Sequence, residues 1–238
     1  VAHALDIASH AVRVECRRMG GGFGGKETQA GHLAVWAAVA AVKMRCPVKL
    51  RLDRDDDFLI TGKRHPFAFE YTVGFDDTGR LHGLQLVLAA NCGFSADLSG
   101  PVADRAIFHT DNAYFLQDVE IASYRCKLNT QSHTAFRGFG GPQGVIVIES
   151  ILGDVARQLK LDPLDVRLRN LYGVQSRNTT HYQMAVDDNI LLPLLSKLEL
   201  SAQYRQRLEA ISAWNAASPV LKRGLALTPV KFGISFTA

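Results

Sequence analysis

The chain has 238 residues, 47% of them hydrophobic and 21% charged, and a formal net charge of +4. That length suits one large or two modest domains with a packed core, and the composition excludes a disordered or fibrous chain. The mild charge forms no basic stripe, which argues against a nucleic-acid partner while leaving an anionic ligand acceptable.

In chain order, Val1 to His10 reads as the tail of a helix. Ala11 to Cys16 alternates Val12, Val14 and Cys16 against Arg13 and Glu15, the period of a strand. A glycine-rich loop, Met19-Gly20-Gly21-Gly22-Phe23-Gly24-Gly25-Lys26-Glu27, follows. Lys26 to Arg45 is rich in Ala, Leu and Val with no internal Pro, which predicts a buried helix that Pro47 ends. Val48 to Asp53 alternates again as a strand. The acidic run Asp53 to Asp57 reads as a turn or surface face.

Phe67 to Phe75 and Leu81 to Ala89 are strand-like, and Asp76-Asp77-Thr78-Gly79 between them signals a hairpin. Ala103 to His109 predicts a short helix and Glu120 to Leu128 a strand. That strand leads into a second glycine loop, Phe136-Arg137-Gly138-Phe139-Gly140-Gly141-Pro142-Gln143. Pro142 suits the first turn of a helix running to about Leu159, because its missing N–H has no partner there in any case. Leu161-Asp162-Pro163 interrupts it, and a second helix runs from Pro163 to Leu171. Tyr172 to Asn189 reads as loop, Ile190 to Ala217 as mostly helical, and Arg223 to Phe236 as extended. Strands and helices mix without regular βαβ alternation, so the fold class is α+β, with mixed sheets packed against helices.

Cys16, Cys46, Cys92 and Cys126 are widely spaced and contain no C-x-x-C pair, which points to buried, reduced thiols. The most apolar stretch, Ala30 to Val42, is too short to span a bilayer and contains His32. No membrane partner and a cytoplasmic location are therefore expected. The chain opens on Val1 and stops at Ala238 after an apolar run, so it reads as a piece of a longer polypeptide, with a candidate subdomain boundary near 54–66.

Three readings of the first glycine loop compete. Gly20-x-Gly22-x-x-Gly25 between a strand and a helix fits a dinucleotide fingerprint. Gly20-x-x-x-x-Gly25-Lys26 nearly fits a P-loop, hence a nucleotide-binding module, but Glu27 stands where the Ser or Thr that holds Mg²⁺ is required. The third reading has two helix N-termini, opening at Lys26 and Pro142, whose free N–H groups grip a metal-oxo cofactor. Only this one uses both loops.

Four segments carry a resemblance: Arg18 to Thr28, Arg105 to Asn112, Thr134 to Gln143, and Thr228-Pro229-Val230-Lys231-Phe232-Gly233-Ile234-Ser235-Phe236-Thr237. Together, in this order, they resemble the xanthine dehydrogenase/xanthine oxidase family, in its molybdenum-binding portion. The resemblance implies a molybdopterin cofactor approached by Gly22, Phe23, Gly24 and Arg137, with Phe23 and Arg137 beside the molybdenum through their backbone. It implies that Glu27 and Arg105 bind a purine and act in catalysis, that Phe139 and Phe236 sandwich it, and that Thr237 contacts it. Hydroxylation builds negative charge on the purine ring, which an always-charged guanidinium can stabilise. Aromatic faces add about 0.5–1.5 kcal/mol per good pair.

Without the resemblance, Glu27 would be read as a dipole partner, Arg105 as a surface cation, and Phe139 and Phe236 as core. The resemblance further implies purine oxidation from hypoxanthine to xanthine to urate, an aldehyde-type molybdenum hydroxylase being the alternative. It places 2Fe-2S clusters, FAD and NAD on other domains or subunits and the general-base Glu outside this chain. The expected partners are the remainder of the molybdenum domain, the iron–sulfur/FAD portion and further copies in an oligomer. The isolated chain is expected to be inactive.

Overall fold

A computed structural model describes residues 1–233. Elements run α1 (Ala2–Leu5), a 3-10 turn (Ser9–Ala11), α2 (Gly31–Met44), α3 (Arg54–Ile60), β1 (Phe67–Phe75), β2 (Leu81–Gly93), α4 (Ser99–Phe108) and β3 (Asp118–Lys127). They continue with α5 (Gly141–Leu159), α6 (Pro163–Asn170), α7 (Leu191–Ser201) and α8 (Tyr204–Ala217). The three strands form one sheet in the order β1-β2-β3. The α+β class is borne out.

Two compact units divide the chain. The first comprises Val1–Ala68, Ala89–Asp104 and Ser123–Gly140, and the second comprises Phe69–Leu88, Arg105–Ala122 and Gly141–Ala238.

The second unit holds the larger apolar core. Helix α5 buries Val147, Ile148, Ile151, Leu152 and Val155, the i, i+3, i+4 stripe of an amphipathic helix. Leu84, Leu86 and Leu88 of β2 and Leu164 and Val166 of α6 are also buried. Gly144 lets α5 approach the end of α4: a Cβ there would stand 2.3 Å from the Ala106 carbonyl oxygen. Asp162 caps α6 by accepting from the Leu164 N–H at 2.7 Å, directly before Pro163. In the hairpin turn Asp76 Oδ1 accepts the Thr78 N–H at 2.9 Å, and Gly79 takes φ 84°.

The first unit is thinner. Its helix α2 buries none of its residues, and Trp36 is 48% exposed. Elsewhere in this unit, Ser99, His65, His133 and Thr134 are buried.

Several expectations fail here. Ala11 to Cys16 and Val48 to Asp53 form no strand. Alternation supplies a face but no partner, and a strand exists only where a neighbour completes its hydrogen bonds. The helix expected from Lys26 begins at Gly31. Thr28 and Gln29 are diverted by side-chain bonds: Thr28 Oγ1 donates to Asp97 at 2.9 Å, and Gln29 Oε1 accepts the Gly62 N–H at 2.5 Å. The acidic run is the short helix α3, with Asp53 as N-cap accepting from the Asp56 N–H at 2.8 Å and three acids in its first turn. All four cysteines are free, but only Cys92 is buried, while Cys16 and Cys46 are exposed and Cys126 is half-buried. No helix among the described residues is long and apolar enough to cross a membrane.

Candidate functional site

In the first unit the two glycine loops meet. Gly22 to Gly25 closes a turn through the Gly25 N–H to the Gly22 carbonyl at 2.9 Å. Its central residues, Phe23 and Gly24, have φ of 52° and 81°, the left-handed pair of a mirror-image turn. In the second loop the Phe139 N–H donates to the Phe136 carbonyl at 3.0 Å, and Gly138, Phe139 and Gly140 all have positive φ. The Arg137 N–H then donates to the Phe23 carbonyl at 2.7 Å. A Cβ on Gly24 would sit 3.6 Å from the Arg137 nitrogen, and one on Gly25 would sit 2.8 Å from the Phe136 ring. Glycines therefore permit the approach of one loop to the other.

This contact revises the role of one expected donor. The Arg137 N–H is spent on Phe23, and the Phe23 carbonyl is occupied by it. The Phe23 ring is 63% exposed. Glu27 is also exposed and lies in irregular chain before α2, so it is not a first-turn dipole partner. The Lys26 ammonium donates to the Met19 carbonyl and ties the loop to itself. The dinucleotide and P-loop readings both need a strand before the loop and a helix opening at its end, and the metal-oxo reading needs a helix N-terminus at Lys26; none of these is there, so the first loop offers a glycine turn in place of a helix end.

Residues that sequence reasoning missed hold these loops. Arg64 lies over the Phe136 ring at 5.2 Å and donates to the Phe136 carbonyl at 3.4 Å. Gln29 bonds Asp97, the Ser132 carbonyl and the Gly62 N–H. Behind them His65 Nε2 lies 2.7 Å from Ser99 Oγ. Burial, then the neighbouring His133, lowers the His65 pKa to about 4.

The second unit holds Arg105, only 5% exposed. Its Nη2 donates to the Gly233 carbonyl at 2.7 Å and its Nε to His109 Nε2 at 3.4 Å. Its guanidinium lies 4.9 Å over the Phe232 ring, and His109 stacks on that ring at 4.7 Å. Burial, then the charge of Arg105, lowers the His109 pKa, so the imidazole is neutral and can accept from Arg105. His109 is thus the direct neighbour of a candidate site residue. The i, i+4 spacing of Arg105 and His109 was the available signal. Phe236 and Thr237 lie outside the described residues, and Phe139 is half-buried in the first unit.

The chain is 44% identical over 236 residues to the protein named xanthine dehydrogenase/oxidase of Gallus gallus, covering 99% of this chain and 17% of that one. It is 40% identical over 237 residues to the nicotinate hydroxylase hnxS of Emericella nidulans, again over 99% of this chain and 17% of the relative. The chain thus spans about one sixth of the length of these relatives. Among solved structures it matches carbon monoxide dehydrogenase from Oligotropha carboxidovorans with TM-score 0.75 and 22% identity, over 91% of this chain and 27% of that chain. That likeness shows the fold. Residues 1–171 match the family model described as the molybdopterin cofactor-binding domain, and the chain belongs to that family.

Proposed function

We propose that this chain forms part of the cofactor and substrate pocket of a molybdenum hydroxylase that oxidises purines, hypoxanthine to xanthine to urate. The observation that carries the reading is the pairing of the two glycine loops through Phe23 and Arg137. It explains why one chain needs two such loops.

The loops fit the molybdopterin group that the family binds. Their glycines leave main chain exposed or half-covered at Gly20 to Gly25 and at Gly138, where side chains would fill the approach. Gly22, Phe23 and Gly24 would hold the group, while Arg137, its N–H spent on the Phe23 carbonyl, keeps the second loop beside them. When bound, it supplies the two-electron oxidation of the ring carbon. This chain's residues then bind and orient. Glu27 accepts from or donates to purine nitrogens. Arg105 stabilises negative charge on the ring, an effect worth roughly 3–4 kcal/mol for one preorganised donor. Phe139, with Phe236, offers aromatic faces, and Thr237 a hydroxyl contact. Electrons leave through 2Fe-2S clusters and FAD to NAD on other portions of a cytoplasmic, oligomeric protein. The general base lies outside these residues, so the isolated chain is inactive.

One finding favours a second reading. The similarity to a nicotinate hydroxylase nearly equals that to the named xanthine dehydrogenases, so a different nitrogen heteroaromatic is the rival substrate. Steady-state oxidation of xanthine and nicotinate by the complete enzyme decides between them. Glu27→Ala and Arg105→Lys should each lower kcat for xanthine by about 10²-fold or more. Wild-type turnover of xanthine in both variants overturns the purine assignment, and preferential turnover of nicotinate establishes the rival.

A further inference from the structure

Arg105 is seated on the segment Thr228 to Gly233, through the Phe232 ring and the Gly233 carbonyl. That segment has no secondary structure of its own. Something else must fix it.

Two adjacent residues after α4 do so. Asn112 takes a left-handed φ of 43°, a conformation Asn tolerates. From there Nδ2 donates to the Pro229 carbonyl at 2.9 Å and Oδ1 accepts the Lys231 N–H at 3.0 Å. Its neighbour Asp111 is fully buried, and Oδ2 receives the Lys231 ammonium at 2.6 Å and the Tyr172 hydroxyl at 2.6 Å. The ammonium lies 5.2 Å over the Tyr172 ring and 5.6 Å over that of Tyr182. Burial and the Asp111 charge push the Tyr172 hydroxyl up, so it stays a donor. Asp111 Oδ1 is buried without a hydrogen-bond partner among the described residues.

A buried ion pair is a weak source of stability but a strong selector of one arrangement, because any other leaves a charge uncompensated. We propose that Asp111 and Lys231 are positioning residues for substrate binding: the ion pair of the buried Asp111 with the half-buried Lys231, with the Asn112 clip, locks Thr228 to Gly233 in the one seat that holds the Arg105 guanidinium. The proposal rests on Arg105 binding substrate. It assigns Lys231 no contact with the substrate.

The test uses the complete enzyme and the variants Lys231→Met and Lys231→Arg. Hydrogen exchange of the peptide covering 225–233 is measured without substrate, alongside KM and kcat for xanthine. Lys231→Met should exchange about tenfold faster in that peptide, while the core of α5 keeps its protection. kcat/KM for xanthine should fall about tenfold as the displaced Arg105 loses its hold on the ring, and Lys231→Arg should recover most of both the protection and the turnover. If Lys231→Met does not accumulate folded, Asp111→Asn/Lys231→Met replaces it, since it buries no lone charge. Wild-type exchange in the charge-free variant overturns the lock. Faster exchange with wild-type kcat/KM overturns its role at the substrate. Should the parent enzyme fail to oxidise xanthine, the purine reading falls, and the exchange experiment still decides the lock.

Discussion

The Arg137 N–H and the Phe23 carbonyl meet at 2.7 Å, and both belong to main chain. Two loops more than a hundred residues apart are thus joined by a bond that no substitution other than one to proline removes directly. The residues around it are chosen for what they omit: Gly24 takes a φ of 81° that a side chain would strain, and Gly25 stands where a Cβ would press on the Phe136 ring.

Arg137→Ala should therefore leave the loop pairing intact, with stability changed by about 0.5 kcal/mol or less. Arg137→Pro deletes the donor and leaves the Phe23 carbonyl unmatched, costing about 1–3 kcal/mol. Urea unfolding of the two variants checks the contrast, and equal destabilisation would show that the side chain carries the contact.

Glu27 is exposed and tied to no core element. Glu27→Gln should shift stability by no more than about 0.5 kcal/mol while lowering xanthine turnover in the complete enzyme. A large loss of melting temperature would mean the residue is structural.

Gly144 permits a close backbone approach in the second unit. Gly144→Ala would put a methyl 2.3 Å from the Ala106 carbonyl oxygen and 2.8 Å from the His109 carbonyl carbon. Both are backbone and cannot swing away, so the expected cost is about 3 kcal/mol. Guanidinium unfolding measures it, and a near-neutral result would mean α5 is free to shift.

His65 predicts acid sensitivity of known sign. Its pKa falls from 6.5 to about 4 in the folded protein. Above pH 6.5 neither state binds the proton, and the fold keeps its full stability. Between 6.5 and 4 the unfolded chain takes the proton and the folded one does not, so stability falls with pH; below 4 the loss levels off. At roughly 1.4 kcal/mol per unit the loss approaches about 3 kcal/mol. In His65→Gln, urea midpoints should decline less across that window. Parallel profiles for variant and wild type would remove His65 as the source.

The Glu149–Arg167 pair, bonded at 2.7 Å with both side chains nearly buried, also takes the Asn112 amide and the Tyr114 hydroxyl on Glu149 Oε1. Glu149→Gln leaves Arg167 uncompensated and should cost about 3–5 kcal/mol. Adding Arg167→Met should recover much of this in urea unfolding, and no recovery would place the loss in the lost hydrogen bonds.

Features encoded within a few residues were legible in the sequence. Asp76 to Gly79 made its hairpin, Pro142 opened α5, Asp162-Pro163 restarted the chain as α6, and paired glycine runs announced two loops that approach each other. Each depends on a residue's own φ preference, missing N–H or capping oxygen, which the sequence states outright. The tertiary structure alone decided that Ala11 to Cys16 and Val48 to Asp53 have no partner strand and that α2 waits until Gly31. It also decided that Arg105 rests on Phe232, His109 and Gly233. Those outcomes depend on which distant groups arrive to complete a hydrogen bond or cover a ring, and no local pattern carries that information.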